Sequence, residues 1–438
     1  MKLFACIYPK LCLSIVVIFI ICSSHHTLAK THPDMLPEYA TSGKYPTGVK
    51  TYTLSNPKYI DPLTQKTGRS LGLEIWYPAL QKTGSVTTYD NVLRSGKAFS
   101  MPANSLRDAA FDGTNKWPLI VLSHGYTGYR TIMFYLAEHL AAHGYVVVGI
   151  DHTDSTNAEI DMLTAPFAGF ISTLLNRSRD QQMTLNYLKE LEHTQAIFGD
   201  ETNWIARQAG LIGYSMGGYG ALNTVGGCFD FPATLISQLI NSDEIKSISN
   251  MKKLLDTCSA GQSYTDQIVD AQWQAMVALA PWGGQHQLFA SNALAKITVP
   301  TLFISGDHDD ISGYSGITDI YDKMESPNTF FLTLLNARHN IAPHTAPDNA
   351  WDNELDFGHY YEPAWSGEQL HAINKHFSLV MMQCYLRGVS EACDMLKLSQ
   401  ESHQRLPDGT LGKPWQGFDH RYSTGMEWRN KADKVKKN

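Results

Sequence analysis

Residues 211–220 read LIGYSMGGYG. An apolar run here meets a serine flanked by Gly213 and Gly217, although glycine in a strand costs backbone entropy and packs nothing. The cluster therefore calls for a geometric reason. A sharp strand-to-helix turn supplies one, because it lifts Ser215 off the end of a buried strand and presents its hydroxyl as a nucleophile. A packing turn without chemistry would use the same letters, so the rest of the chain has to decide.

The neighbouring elements favour the first reading. WPLIVLSHG (117–125) and YVVVGIDH (145–152) are continuous apolar runs, as expected of strands buried on both faces. Between them TIMFYLAEHLAAHG has helical periodicity and a glycine stop. Leu174, Leu185, Leu188 and Leu191 predict a helix before the Ser215 strand, and MGGYGALNTVGG predicts one after it. Further strands are expected at 275–282, 299–307 and 328–339, and a late helix at 376–386. GVKTYTL (48–54) and LGLEIWYPA (71–79) alternate like an antiparallel edge. The sum is an α/β fold: a mostly parallel, doubly wound sheet covered on both faces. An insertion over about 228–270 breaks the rhythm with helix-like runs and is expected to form a small lid. Ligands of such sheets lie at the carboxyl ends of strands, where Gly125, Tyr126, Ser215, Trp282, Asp309 and His339 all fall.

A serine hydroxyl needs an adjacent base that is itself oriented by a third group. Downstream of Ser215, one strand ends in SGDHDD and the next at His339, giving the order Ser, Asp, His. Ser215, Asp309 and His339 are thus the candidate catalytic residues. A strand ending at Gly306 must turn before it can direct a carboxylate back, and of the aspartates that follow Asp309 is preferred. Asp307 is read as a turn former, and Asp310 as one residue late. The backbone N–H groups of Tyr126 and Met216 are the candidate oxyanion donors. Tyr214 and Trp282 are candidates for the substrate wall, although such residues also serve as packing. His152 is read as a local hydrogen-bonding residue at a strand end, while His344 and His359 receive no assignment. The DHDDISG stretch lacks the spacing of a calcium-binding EF-hand loop, and no metal or other cofactor is expected.

Here a resemblance enters. YPTGVKTYTL, LEIWYPA, the stretch from Leu119 to His152, NRSRDQQMTLNYL and GYSMGGYGAL together resemble the dienelactone hydrolase-like and platelet-activating factor acetylhydrolase-like group of α/β-hydrolases. The likeness extends over about 44–386 and implies a serine-dependent carboxylic-ester hydrolase without cofactor. It also implies an acid at the G-x-x-D spacing after a strand, which Gly306-Asp307-His308-Asp309 fits, and the preference for Asp309 rests on that spacing. Two departures matter. The eukaryotic acetylhydrolases carry their acid in an ALDAW-like stretch, where this chain has Ala280, so the acid must come from a later strand. True dienelactone hydrolases use a cysteine, so their substrate does not carry over. The alternatives are an amide or peptide hydrolase on the same fold and a catalytically silent binding protein.

Bulk properties fit a globular enzyme. The 438 residues are 43% hydrophobic and 18% charged, with net charge −7, and no basic stripe suggests nucleic acid as a partner. Residues 1–29 have the layout of a secretory signal peptide, with Lys2 and Lys10 ahead of an apolar core ending at Cys22. An uncleaved anchor is the competing reading; a lipoprotein through Cys22 is disfavoured by Ile21. Cleavage would remove two lysines and no acid, taking −7 to −9, and would leave a mature form without a membrane span, periplasmic or extracellular. Four cysteines would remain, and sequence proximity favours Cys228–Cys258 and Cys384–Cys393 among three possible pairings. The hydrolase unit is expected over 30–394, followed by a polar, irregular extension at 395–438. The expected partner is a small-molecule or lipid ester.

Overall fold

The computed structural model describes residues 36–80, 84–191, 197–198, 205–265, 268–419 and 424–432. The expected leader, 1–29, lies outside the described residues. In chain order the strands are β1 (Thr47–Ile60), β2 (Thr67–Pro78), β3 (Val86–Val92), β4 (Ala98–Arg107), β5 (Trp117–Ser123), β6 (Val146–Asp151), β7 (Ile205–Tyr214), β8 (Trp273–Leu279), β9 (Thr301–Gly306), β10 (Thr329–Leu334) and β11 (Met426–Asn430). The helices are α1 (Phe134–Ala142), α2 (Phe170–Leu191), α3 (Met216–Thr224), α4 (Ala233–Ile240), α5 (Ile245–Leu255), α6 (Ser291–Leu294), α7 (Tyr314–Lys323), α8 (Glu354–Phe357), α9 (Gly367–Arg387) and α10 (Ser390–Asp394).

All the strands join one sheet in the order β11-β10-β9-β8-β7-β5-β6-β2-β1-β4-β3. The block from β6 through β5, β7, β8 and β9 to β10 is parallel. Antiparallel pairings attach β2 to β6 and β11 to β10. This is the α/β-hydrolase fold.

The unbroken apolar runs are explained by two covered faces. In β5, Leu119 and Val121 pack into the core that contains α2 and α3, while Ile120 and Leu122 pack into the opposite core with α1 and α9. In β7, Leu211 and Ile212 divide the same way. Each such fully buried side chain is worth roughly 1.5–3 kcal/mol. The order also fixes where a ligand can sit. The chain leaves β5 for β6 on one side and returns to β7 on the other, so the loops after β5 and β7 diverge and leave a crevice at their carboxyl ends.

The C-terminal segment differs from the irregular extension expected. Its last part pairs antiparallel with β10 as edge strand β11, and Trp415, Phe418, Met426 and Trp428 are buried in the α9-side core. A polar average hid a few large anchors, including the alternating Met426 and Trp428. Hairpin β3–β4 was not anticipated either. Both disulfides form with the pairing that proximity favours: Cys228–Cys258 closes the insertion containing α4 and α5, and Cys384–Cys393 joins α9 to α10. Among the described residues no helix is long and apolar enough to cross a membrane.

Several histidines are buried in this scaffold, with a consequence for pH dependence. Burial pushes His152 down to about 3, His344 to about 4 and His376 to about 3. These values lie below the unfolded one near ~6.5, so under acid conditions the unfolded chain binds more protons than the folded one. Their neutral forms cost nothing above pH ~6.5, and stability is lost as pH falls from there toward the folded values, by up to about 1.4 kcal/mol per histidine per pH unit. Scanning calorimetry should show Tm falling between pH 7 and pH 5. A Tm that holds steady or rises over that interval would contradict the burial assigned to these rings.

Candidate active site

Ser215 sits at the junction of β7 and α3 with φ 53° and ψ −115°, a conformation that non-glycine residues avoid. The flanking glycines answer the question raised by the sequence. A Cβ on Gly213 would meet the Gly217 carbonyl oxygen at 2.4 Å, and one on Gly217 would meet that of Ser123 at 1.9 Å. The turn is therefore too tight for any side chain at either place. Ser215 N donates to Leu279 O, and its own carbonyl accepts from Trp282 N at 3.1 Å, so the end of β8 holds the bend.

The loop after β5 lies against this serine. A Cβ on Gly125 would stand 3.1 Å from Ser215 Cβ, so glycine there permits close approach. The backbone N–H groups of Tyr126 and Met216 make no hydrogen bond among the described residues, and both residues line a cavity shared with Ser215. Thr127, immediately after, has φ 58°; it donates its N–H to Ser155 O at 2.9 Å.

His339 follows β10 and opens onto the same cavity. Its Nδ1 lies 3.0 and 2.9 Å from the two carboxylate oxygens of Asp309, whose side chain is fully buried. Asp309 Oδ1 also accepts from Ile311 N at 3.0 Å and Ser312 N at 2.8 Å. Ser312 Oγ in turn donates to Ala280 O at 2.8 Å. The acidic turn is thereby tied to the strand end where the acetylhydrolases would carry their acid. The other two aspartates are occupied elsewhere: Asp307 Oδ1 caps Asn336 N at 2.6 Å, and Asp310 pairs with exposed Arg338. Ser215 and His339 form no hydrogen bond with each other among the described residues. Catalytic contacts of this kind commonly tighten only with substrate in place.

Tyr214 is buried under the histidine, with ring centroids 5.2 Å apart and its hydroxyl donating to His339 O. Trp282 lies across the cavity, edge-on to Phe170 at 5.5 Å. The cavity measures about 790 Å³. Its apolar lining includes Met162, Phe167, Phe170, Trp282 and, from α4, Leu235 and Leu239. The insertion thus contributes directly to the site. The polar part of the lining includes Arg94, Thr127, Asp310, Arg338, His339, Glu354 and His359.

His152 does more than bond locally. Its Nε2 is 2.8 Å from Ser123 Oγ and its Nδ1 2.9 Å from Asp180 Oδ2, all three residues being buried. Burial alone would raise the Asp180 carboxyl, but Arg69, donating at 2.5 and 2.8 Å, holds it down at about 2. Gln181 Nε2 then bridges Ser123 Oγ at 2.8 Å and Gly217 O at 2.9 Å. This closed network joins the end of β5 to the Ser215 turn from behind, without access to the cavity. The sequence offered no sign of it, since Asp180 and Gln181 are two polar residues among many on α2.

Comparison with known proteins finds similarity to ester-hydrolysing proteins. A sequence model of the family described as "Platelet-activating factor acetylhydrolase, isoform II" matches residues 64–195, a span that ends before Ser215. The sheet order gives the chain the α/β-hydrolase fold. It is 26% identical over 227 residues to Cutinase est1 of Thermobifida alba, covering 51% of this chain and 54% of that protein. Cutinase est2 of the same organism is 24% identical over 230 residues, covering 52% and 54%. The chain therefore spans about half the length of the curated relatives it matches. A solved ferulic acid esterase from Streptomyces cinnamoneus superposes with a TM-score of 0.49 at 16% identity, covering 79% of this chain and 91% of that one.

Proposed function

We propose that the chain is an exported serine hydrolase of carboxylic esters. The observation that carries the reading is a strained Ser215 opening into one cavity with a histidine whose far nitrogen is held by a buried carboxylate. In the proposed reaction Ser215 Oγ attacks the ester carbonyl as His339 Nε2 takes its proton. The carbonyl oxygen gains charge and receives the N–H groups of Tyr126 and Met216. The C–O bond to the alcohol then breaks, His339 returns the proton to the departing oxygen, and an acyl-serine remains. Water, deprotonated by the same histidine, releases the acid. Asp309 keeps the imidazole in the tautomer with its proton on Nδ1 and stabilises the imidazolium.

Tyr214 supports the histidine, and Trp282 with the α4 leucines forms the wall against which an apolar part of the ester packs. The relatives named as cutinases, and the acetylhydrolase family, favour an ester over an amide. Export rests on the leader-like 1–29 and is compatible with the two disulfides. The test is release of acid, followed by pH-stat, from soluble short-chain alkyl esters beside the matching N-alkyl amides. Ester turnover with amide turnover orders of magnitude slower is expected. Amide turnover equal to or above that of the ester would overturn the substrate class.

A further inference from the structure

Arg94 belongs to the turn between β3 and β4, at the far edge of the sheet from β11, yet it lines the cavity that holds Ser215. Its one hydrogen bond among the described residues is from Nη2 to Thr127 Oγ1, at 3.1 Å. Nε is fully buried and has no partner, and Nη1 has no protein acceptor among the described residues. Asp356, a carboxylate whose charge bears on it, is already engaged: it accepts from Ser95 N at 2.8 Å, Ser95 Oγ at 2.6 Å and Asn353 Nδ2 at 2.7 Å. The phenols of Tyr214, Tyr360 and Tyr129 also bear on the guanidinium. Beside it, His359 also faces the cavity, and its Nδ1 is buried without a partner.

A guanidinium presents a planar fork of donors and stays charged, so leaving it buried without an anion is costly. Burial accordingly lowers the Arg94 pKa, and Arg94 contributes to holding His359 well below its ordinary value, after burial itself. Arg94 and His359 thus each bring a polar atom without a partner among the described residues to a cavity that is also lined by Phe170, Trp282 and Leu235. The same cavity therefore offers a ligand the reacting serine, apolar side chains and a guanidinium; of its other charged residues, Asp310 is paired with Arg338, and Glu354 is the remaining carboxylate.

We propose that Arg94, assisted by His359, binds an oxyanion carried by the substrate, so that the preferred substrate is an ester with a carboxylate or phosphate group as well as an apolar part. This deepens the ester-hydrolase reading and rests on it. A charge-assisted, forked contact of this kind gives selectivity that a neutral isostere cannot match. The bond from Arg94 to Thr127 gives the competing explanation, a purely structural strut under the Tyr126 turn, and that role would affect every ester alike.

The test uses four matched esters followed by pH-stat: neutral butyl butanoate, 4-butanoyloxybutanoate and 2-butanoyloxyethyl phosphate with the anion in the alcohol, and monobutyl glutarate with it in the acyl part. At least one anionic ester should exceed the neutral one in kcat/KM by about tenfold or more, consistent with a charged hydrogen bond, and the arm that does so identifies the source of the oxyanion. Arg94→Met should reduce that ratio to about unity, and Arg94→Lys should leave it intermediate. A wild type that favours none of the anionic esters, or a ratio unchanged in Arg94→Met, overturns the proposal. Calorimetry of monobutyl glutarate and 2-butanoyloxyethyl phosphate binding to Ser215→Ala protein judges Arg94 without turnover: adding Arg94→Met should weaken the tighter of the two by about tenfold, and equal binding would refute the site. Failure of the wild type to hydrolyse any of the four counts instead against the ester-hydrolase reading.

Discussion

Ser215→Ala is expected to lower kcat on any ester substrate by about 10⁴–10⁶ while leaving the fold intact. The size follows from the chemistry assigned to the hydroxyl. Without it there is no acyl-serine, and only binding and the Tyr126 and Met216 donors remain to assist water. Intactness follows from the surroundings. Ser215 makes its structural bonds through the main chain, to Leu279 O and Trp282 N, and alanine keeps both. Alanine also tolerates a φ of 53° no worse than serine does. A folded Ser215→Ala protein, with an unchanged circular dichroism spectrum and Tm, that retained a tenth of wild-type activity would remove Ser215 from the mechanism.

The second large effect belongs to Asp309. Both its oxygens face His339 Nδ1, and its position is fixed by the N–H groups of Ile311 and Ser312. Asparagine keeps the shape but can turn an amide N–H toward Nδ1, which stabilises the tautomer with the proton on Nε2 and disables the base. It also removes the charge that stabilises the imidazolium, so Asp309→Asn should cost about 10³–10⁴ in kcat. Asp310→Asn breaks only an exposed pair with Arg338 and should cost less than about tenfold. Parallel kcat measurements on the two variants decide the matter. A crippled Asp310→Asn beside a near-normal Asp309→Asn would reverse the assignment.

Local signals carried the central sheet. The apolar runs at 117–125, 145–152 and 299–307 read as doubly buried strands because each is long enough to span the sheet and ends in polar turn residues, and glycines crowd the Ser215 turn for steric reasons visible in one line of sequence. Of the three aspartates in the turn after β9, Asp309 is the one whose carboxylate contacts His339. What escaped was non-local. Arg94 lies in an ordinary-looking hairpin turn, 121 positions before Ser215 in the chain, and tertiary contacts such as that of Ser95 with Asp356 hold it at the cavity. The Ser123–His152–Asp180 network joins two strand ends to a helix, so no periodicity announces it. The role of β11 was masked by polar neighbours, since a five-residue edge strand with two buried side chains leaves the average composition almost untouched. The insertion was legible as an interruption, but not that α4 would turn Leu235 and Leu239 toward the serine.

The central claim, that a single activated serine performs the chemistry, is tested most directly by covalent labelling. The folded protein would be treated with a fluorophosphonate, its intact mass measured, and the adduct mapped by peptide mass spectrometry while ester hydrolysis is followed in parallel. The account predicts one adduct per chain, located on Ser215, with activity lost in proportion to labelling and no adduct in Ser215→Ala. An adduct on another residue, or undiminished ester hydrolysis after complete modification of Ser215, would contradict it.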